Sequence, residues 1–249
     1  MSSKLALNLS RCYSINFDPQ KRTKKKIVFI IIHYTGMKKE SEALERLCSY
    51  ESKVSSHYFI KNNGKVLNLV PDLYEAWHAG KSNWRKLTSL NKYSIGIEIS
   101  NPGHDYKYKK FSKKQIKSIL KLSAYLIKKY KIKSNFILGH SDISPDRKKD
   151  PGEKFPWKYL SKNKISYWHN LSEKKIFKER NQQVSQLEKN KFVKNLNKIG
   201  YSKNMCFDKN KYTKVLTTAF QRRFRQELVS GIIDQECLLI SNNLAKNTK

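Results

Sequence analysis

The run Ile27 to Ile32, IVFIII, constrains this chain more than any other feature. All six residues are apolar, all but Phe29 are β-branched, and nothing alternates. Such a run reads as a central strand covered on both faces, because a half-exposed strand alternates apolar and polar residues. A second run, NFILG from Asn135 to Gly139, reads the same way. Each run ends in a histidine: His33-Tyr34-Thr35 follows the first and His140-Ser141-Asp142 the second. Open α/β sheets bind ligands at the carboxyl ends of their strands. A polar loop after His140, SPDRKKDPG, carries Lys148, Lys149 and Asp150 just before Pro151 and Gly152. Two imidazoles and a nearby carboxylate at strand ends supply the three protein ligands of a catalytic zinc site, which keeps its fourth position for water. One histidine after a strand is usually structural; here the pair and the loop together carry the reading.

The rest of the first 170 residues fits a mixed sheet with helices. Ser41 to Tyr50 reads as a short helix. His57 to Lys61 and Lys65 to Val70 flank Asn62-Asn63-Gly64, a hairpin signal. Ser94 to Ser100, SIGIEIS, alternates, with Ile95, Ile97 and Ile99 on one face and Gly96 and Glu98 on the other. Gly96 there leaves room for a ligand to approach closely. Taken alone, Glu98 is a surface residue of a half-exposed strand; beside the histidines it reads as a general base. Phe111 to Tyr130 has helical periodicity, with Ile116, Ile119, Leu120, Ile127 and Tyr130 apolar and Lys113, Lys114, Lys117, Lys121 and Lys128 solvated. In an extended segment Lys148 and Asp150 project to one side, so that one binds metal and the other reaches substrate. The fold class is therefore α/β with a mixed central sheet flanked by helices.

Beyond Trp168 the composition shifts. Asn170 to Gln186 is polar and reads as a partly helical connection. Val184, Leu187, Val193 and Leu196 predict a helix ending at Gly200, and Lys214 to Arg225 and Asp234 to Leu244 predict two more. The expected division is a catalytic domain over 1–170, a linker over 171–182 and a small three-helix domain over 183–249. On that division, a chain ending near Asn170 is expected to keep its turnover of small substrates.

Charge and cysteines bound the alternatives. Lys and Arg number 52 against 20 Asp and Glu, a formal net charge of +32. That points either to an anionic partner or to lysine enrichment on solvated faces. No nucleic-acid-binding motif accompanies it, so no specific nucleic acid is expected. Cys12, Cys48, Cys206 and Cys237 have no paired spacing and read as ordinary thiols. No apolar run is long enough for a transmembrane helix. The amino-terminal stretch lacks the apolar core of a signal peptide, and Arg11 argues against lipoprotein cleavage before Cys12. These features read as a cytoplasmic location, with periplasmic or outer-membrane association as the alternative.

At this point the chain resembles a known family, the type 2 N-acetylmuramoyl-L-alanine amidases, zinc enzymes related to peptidoglycan recognition proteins. The matching segments are IIIHYTG (30–36), VSSHYFI (54–60), LVPDLYEAWHAGKSNW (69–84), LNKYSIGIEISNPG (90–103) and LGHSDISPDRKKDPGEKFPW (138–157). The resemblance is to the AmiD-like branch, which adds a C-terminal peptidoglycan-binding domain; AFQRRFRQELVSGIIDQE (219–236) is similar to the second half of that domain. It implies one Zn2+ per chain on His33, His140 and Asp150, Glu98 as the acid/base residue and Lys148 as stabiliser of the oxyanion. It assigns neither Asp142 nor Asp146 to the metal; Asp142 is expected to orient a ligand from outside. His57 is expected to be packed, His78 to line the substrate groove, and Trp77, Trp84 and Trp157 to sit in the core or rim. The implied function is hydrolysis of the bond between N-acetylmuramic acid and L-alanine in peptidoglycan or (anhydro)muropeptides. A non-catalytic recognition protein on this fold is expected to lose a zinc ligand or Glu98; a nucleic-acid-binding protein rests on charge alone.

Overall fold

The computed structural model describes residues 9–203 and 207–248. Cys206 and the first eight residues, on which part of the signal-peptide reading falls, lie outside them. In chain order the elements are β1 (Leu9–Arg11), β2 (Phe17–Asp18), β3 (Phe29–Tyr34), α1 (Glu40–Cys48), β4 (Tyr58–Ile60), β5 (Val66–Asn68), β6 (Glu75–Ala76), β7 (Asn83–Trp84), β8 (Leu87–Thr88), β9 (Ser94–Ile99), α2 (Lys113–Tyr130), β10 (Ile137–Gly139), α3 (His140–Ile143), α4 (Trp157–Lys162), α5 (Glu173–Lys178), α6 (Gln186–Ile199), α7 (Lys209–Phe224) and α8 (Gln235–Lys246). The main sheet has six strands in the order β1-β5-β4-β9-β3-β10. Only the β4–β5 hairpin is antiparallel; the other pairings in this sheet are parallel. A mixed sheet flanked by helices is the expected class.

Parity along the strands sorts the two faces. Ile30 and Ile32 of β3, Ile95, Ile97 and Ile99 of β9 and Ile137 of β10 pack with α2 and α4. Helix α2 starts with a capping box between Ser112 and Gln115, which satisfies backbone donors of its first turn. Its buried stripe is Ile119, Leu122, Leu126 and Tyr130. The expected stripe thus shifts: Ile116, Leu120 and Ile127 are only partly buried, and Leu122 and Leu126 take the centre. The lysines of this helix are exposed, as expected.

The opposite face is divided. At the β4–β5 end α1 covers it, with Ala43 and Leu47 against Phe59, Leu67 and Leu69. At the β3–β10 end the C-terminal helices cover it: Phe29, Ile31 and Leu138 share one core with Phe192 and Leu196 of α6, Leu216, Phe220 and Phe224 of α7 and Ile240 and Leu244 of α8. Between the two covers the carboxyl ends of β3 and β9 stay open to a cleft. Helix α6 begins at a capping box, Ser185 with Glu188, and ends at Gly200, whose φ of 146° suits glycine. Leu187, expected on its apolar side, is instead 80% exposed, while Phe192, Leu196 and Ile199 are buried. Helix α7 starts at Lys209 because the Asp208 carboxylate accepts from the Asn210 and Lys211 N–H groups. The connection is packed too, with Arg180 on Glu236 and the Asn181 N–H on Asp234.

This packing changes the expectation for a shortened chain. Ending at Asn170 leaves the face that carries Phe29, Ile31 and Leu138 without its cover. Large exposed apolar patches promote association. We therefore expect such a chain to aggregate or to show no cooperative melt. Size-exclusion chromatography and a thermal scan check this; a monomeric, cooperatively melting product contradicts it.

Candidate active site

Strand pairing brings the first elements of the site together. His33 of β3 lies directly opposite Glu98 of the parallel neighbour β9. Both are on the face away from α2, since His33 has the parity of Phe29 and Ile31 and Glu98 that of Gly96. On the other side of β3, β10 delivers His140 at the first position of α3. The loop then returns Asp150 to the same point, where its carbonyl accepts from the Ser141 N–H. His33, His140 and Asp150 are all buried.

Three electron-pair donors converge there. His33 Nδ1 lies 2.9 Å from His140 Nδ1 and 3.0 Å from Asp150 Oδ2, and His140 Nδ1 is 3.1 Å from the same oxygen. The other ring nitrogens face outward. His140 Nε2–H donates to the Ala79 carbonyl over 3.1 Å, so His140 Nδ1 carries its lone pair toward the cluster. His33 Nε2 is 3.0 Å from His78 Nδ1. A carboxylate and imidazole lone pairs aimed at one another at this spacing call for a cation between them. The group, two imidazoles and one carboxylate, is of a kind that holds a divalent metal ion.

Burial sets the electrostatics. It pushes the His33 imidazole down to about 4, with the charge of His140 adding to the effect, so the neutral form prevails at pH 7. For Asp150, burial works the other way, but His140 and His33 outweigh it and hold the carboxyl far below its usual range. Glu98 is pushed up to about 8 by burial first and by Asp150 second, against the opposing charge of Lys148. Its Oε2 is buried without a hydrogen-bond partner. Buried polar atoms are nearly always paired, and exceptions cluster where chemistry needs them.

Glu98, His140 and Asp150 line a cleft of about 350 Å³, with His33 buried behind them. One wall is α1, with Ala43, Arg46 and Leu47; the other is the loop Arg147 to Asp150. All five expected site residues, His33, Glu98, His140, Lys148 and Asp150, come together here. Lys149 also reaches the rim, exposed and 3.9 Å from Asp105. Asp146 is exposed and outside the group. Asp142 acts on the site only through the backbone: its carboxylate accepts from the Gly139 N–H, from Tyr201 and from Arg223, and makes no bond to His33 or His140. His57 is packed as expected, its Nδ1 accepting from the Gly96 N–H and its Nε2–H donating to the Tyr74 carbonyl. His78 borders the cleft but is buried and turned to His33. The hollow at Gly96 is filled by that ring, so it offers a ligand no room: a Cβ at position 96 would collide with His78 Cγ. Trp84 and Trp157 are core residues, while Trp77 is half-buried at the cleft.

The sequence did not point to Tyr34, His104 and Glu153. The Tyr34 hydroxyl donates to His104 Nδ1 over 2.8 Å, and His104 Nε2–H donates to Glu153 over 3.0 Å. Adjacency of Tyr34 to His33 was the available signal. Arg147 was missed as well; it bonds the Ala79 and Lys81 carbonyls and ties the loop to that segment.

A mixed sheet thus carries a two-histidine, one-aspartate cluster at its carboxyl edge, beside a half-buried glutamate and a lysine, which is the layout of a metal-type site. Residues 23–153 match the N-acetylmuramoyl-L-alanine amidase family model. The chain belongs to that family. It is 32% identical to the N-acetylmuramoyl-L-alanine amidase AmiD of Escherichia coli over 231 residues, covering 88% of this chain and 82% of the relative. It is 40% identical over 114 residues to the 1,6-anhydro-N-acetylmuramyl-L-alanine amidase AmpD of Haemophilus influenzae, covering 45% of this chain and 60% of that one. Among solved structures, the complex of Escherichia coli AmiD with the substrate anhydro-N-acetylmuramic acid-L-Ala-D-gamma-Glu-L-Lys superposes with a TM-score of 0.78 at 30% identity, covering 92% of this chain and 91% of that one. AmpDH3 from Pseudomonas aeruginosa also gives 0.78, at 28% identity, covering 92% and 93%. The chain is thus an amidase, and the non-catalytic alternative, which loses a ligand or the glutamate, does not describe it. Among the described residues no helix is long and apolar enough to cross a membrane.

Proposed function

We propose that this amidase cleaves the amide between N-acetylmuramic acid and L-alanine in peptidoglycan or (anhydro)muropeptides, with one zinc ion held by His33, His140 and Asp150. The observation that carries the reading is the convergence of those three donors beside the unpartnered carboxyl of Glu98. Zinc bound there supplies Lewis acidity and lowers the pKa of water toward 7. Ionised Glu98 takes the proton of the attacking water. The same carboxyl, now protonated, gives that proton to the departing alanine nitrogen. Lys148 brings its ammonium to the cleft, where it stabilises negative charge growing on the former lactyl carbonyl oxygen. Arg46 and Lys149 at the rim favour the carboxylates of a peptide stem.

The division of labour follows the expected boundaries. Residues 1–170 carry the chemistry, 171–182 connect, and 183–249 hold the enzyme on wall polymer through effective concentration. The chemistry is the same whether the enzyme acts in the cytoplasm on soluble fragments or at the wall on intact polymer.

The decisive experiment incubates the zinc-loaded full chain with anhydromuropeptide and with purified sacculi and follows products by mass spectrometry. Release of a peptide beginning with L-alanine is expected; intact substrate after prolonged incubation rejects the reading. Lys148→Ala is expected to keep its metal and lose about 10²-fold or more in kcat, as for other removed oxyanion donors. Lys149→Ala changes kcat little. The opposite ranking reassigns the two lysines.

A further inference from the structure

We infer that His78 is a positioning residue for the metal centre, orienting His33 and fixing which of its nitrogens is free to bind metal. The inference rests on the zinc reading above. It starts from a backbone carbonyl, which can only accept hydrogen bonds. The Ser94 hydroxyl donates to the Leu90 carbonyl over 2.6 Å, so toward His78 Nε2, 3.2 Å away, the Ser94 oxygen acts as acceptor. His78 therefore carries its proton on Nε2 and presents the lone pair of Nδ1. His33 Nε2–H must then be the donor across the 3.0 Å contact, which leaves the His33 Nδ1 lone pair facing His140 and Asp150. One fixed acceptor thus sets the direction of every bond up to the metal-type site. Metal-ligating histidines are oriented in this way by a partner on the other nitrogen, usually a carboxylate, carbonyl or water. Here the partner is a third imidazole.

The fold holds that imidazole tightly. His33 and Ser94 are both buried with it. Gly96 lies directly against the ring, where a Cβ would collide with Cγ. The Asn91 side-chain carbonyl accepts from the His78 and Ala79 N–H groups, at 3.2 and 2.7 Å. The same short segment also orients the second histidine, through the Ala79 carbonyl on His140 Nε2–H. Two adjacent residues, His78 by its side chain and Ala79 by its backbone, therefore hold both imidazoles of the site from behind.

The test measures zinc affinity of the full chain by competition with a chelator. His78→Ala is expected to weaken zinc binding about 10–100-fold, the usual effect of losing such a partner. His78→Asn places an amide oxygen near the Nδ1 position and is expected to recover most of the loss; His78→Gln places it near Nε2 and is not. Gly96→Ala, which displaces the ring, is expected to reproduce the His78→Ala defect. A merely space-filling role would not separate asparagine from glutamine. Equal affinities for His78→Asn and His78→Gln, or a His78→Ala affinity within twofold of the parent, overturn the inference. If His78→Ala does not fold, the asparagine and glutamine comparison decides alone. A parent chain that binds no zinc, or His33→Ala binding as tightly as the parent, overturns the zinc reading itself and is read separately.

Discussion

Glu98→Gln is expected to retain the fold and the full metal content while losing about 10²-fold or more in kcat, the contribution typical of a positioned acid/base group. The substitution keeps the shape of the side chain and removes only its ability to take up and return a proton. Glu98 Oε2 has no hydrogen-bond partner, so the fold does not depend on its charge. None of the donors of the metal-type site is altered. The pH profile gives an independent reading. Burial and Asp150 push the Glu98 carboxyl up to about 8. A base must be ionised, so activity rises with pH through this group and falls on the acid side of its pKa. A divalent cation at His33, His140 and Asp150 favours the ionised form, which moves the acid limb of kcat/KM below about 8. In Glu98→Gln that limb disappears from the residual rate. Elemental analysis, circular dichroism and turnover of a soluble muropeptide on one preparation check the prediction. Near-parental turnover across the pH range removes Glu98 from the mechanism.

How far the sequence reached depends on the range over which each signal acts. The central strand, expected over Ile27 to Ile32 and found at Phe29–Tyr34, the Asn-Gly hairpin and the end of α6 at Gly200 are local, and each was legible from a few residues. Both histidines were legible because strand ends are where ligands collect. Glu98 was legible by parity, but the enclosure of its Oε2 was not: alternation in SIGIEIS suggests one wet face, and only the pairing order puts β9 between β4 and β3. What fills the polar side of a central strand is decided by distant segments. Residues 77–79 bring His78 onto Gly96, a contact no spacing encodes. Cys12 and Cys48, 36 residues apart and without paired spacing, likewise meet at 3.8 Å. The polarity of the stretch after Asn170 was visible in the sequence, but its partners were not. The half-buried pair Arg180–Glu236 and the buried pair Arg223–Asp142 join residues 56 and 81 positions apart.

Arg223→Met is expected to destabilise the protein by about 3–5 kcal/mol, the range for removing one partner of a buried ion pair. Arg223 and Asp142 are 3% and 1% exposed. The guanidinium bonds the Asp142 carboxylate, donates to the Ile137 carbonyl over 2.9 Å and lies 4.3 Å from the Trp157 ring centroid. Methionine fills much of the volume and supplies none of the charge. Asp142 keeps Tyr201 and the Gly139 N–H, so its carboxylate is left buried with neutral partners only. That is a large cost in a low-dielectric interior. Adding Asp142→Asn removes the stranded charge, so the double variant is expected to be more stable than the sum of the two single effects predicts. The effect reaches the active site by a short route. Asp142 caps Gly139, the residue before His140, so loosening it loosens the turn that aims one imidazole of the metal-type site. Denaturant unfolding of the parent, both single variants and the double variant measures the coupling directly. A loss below about 1 kcal/mol for Arg223→Met, at the scale of an exposed pair, shows that α7 merely covers the sheet and does not brace the catalytic turn.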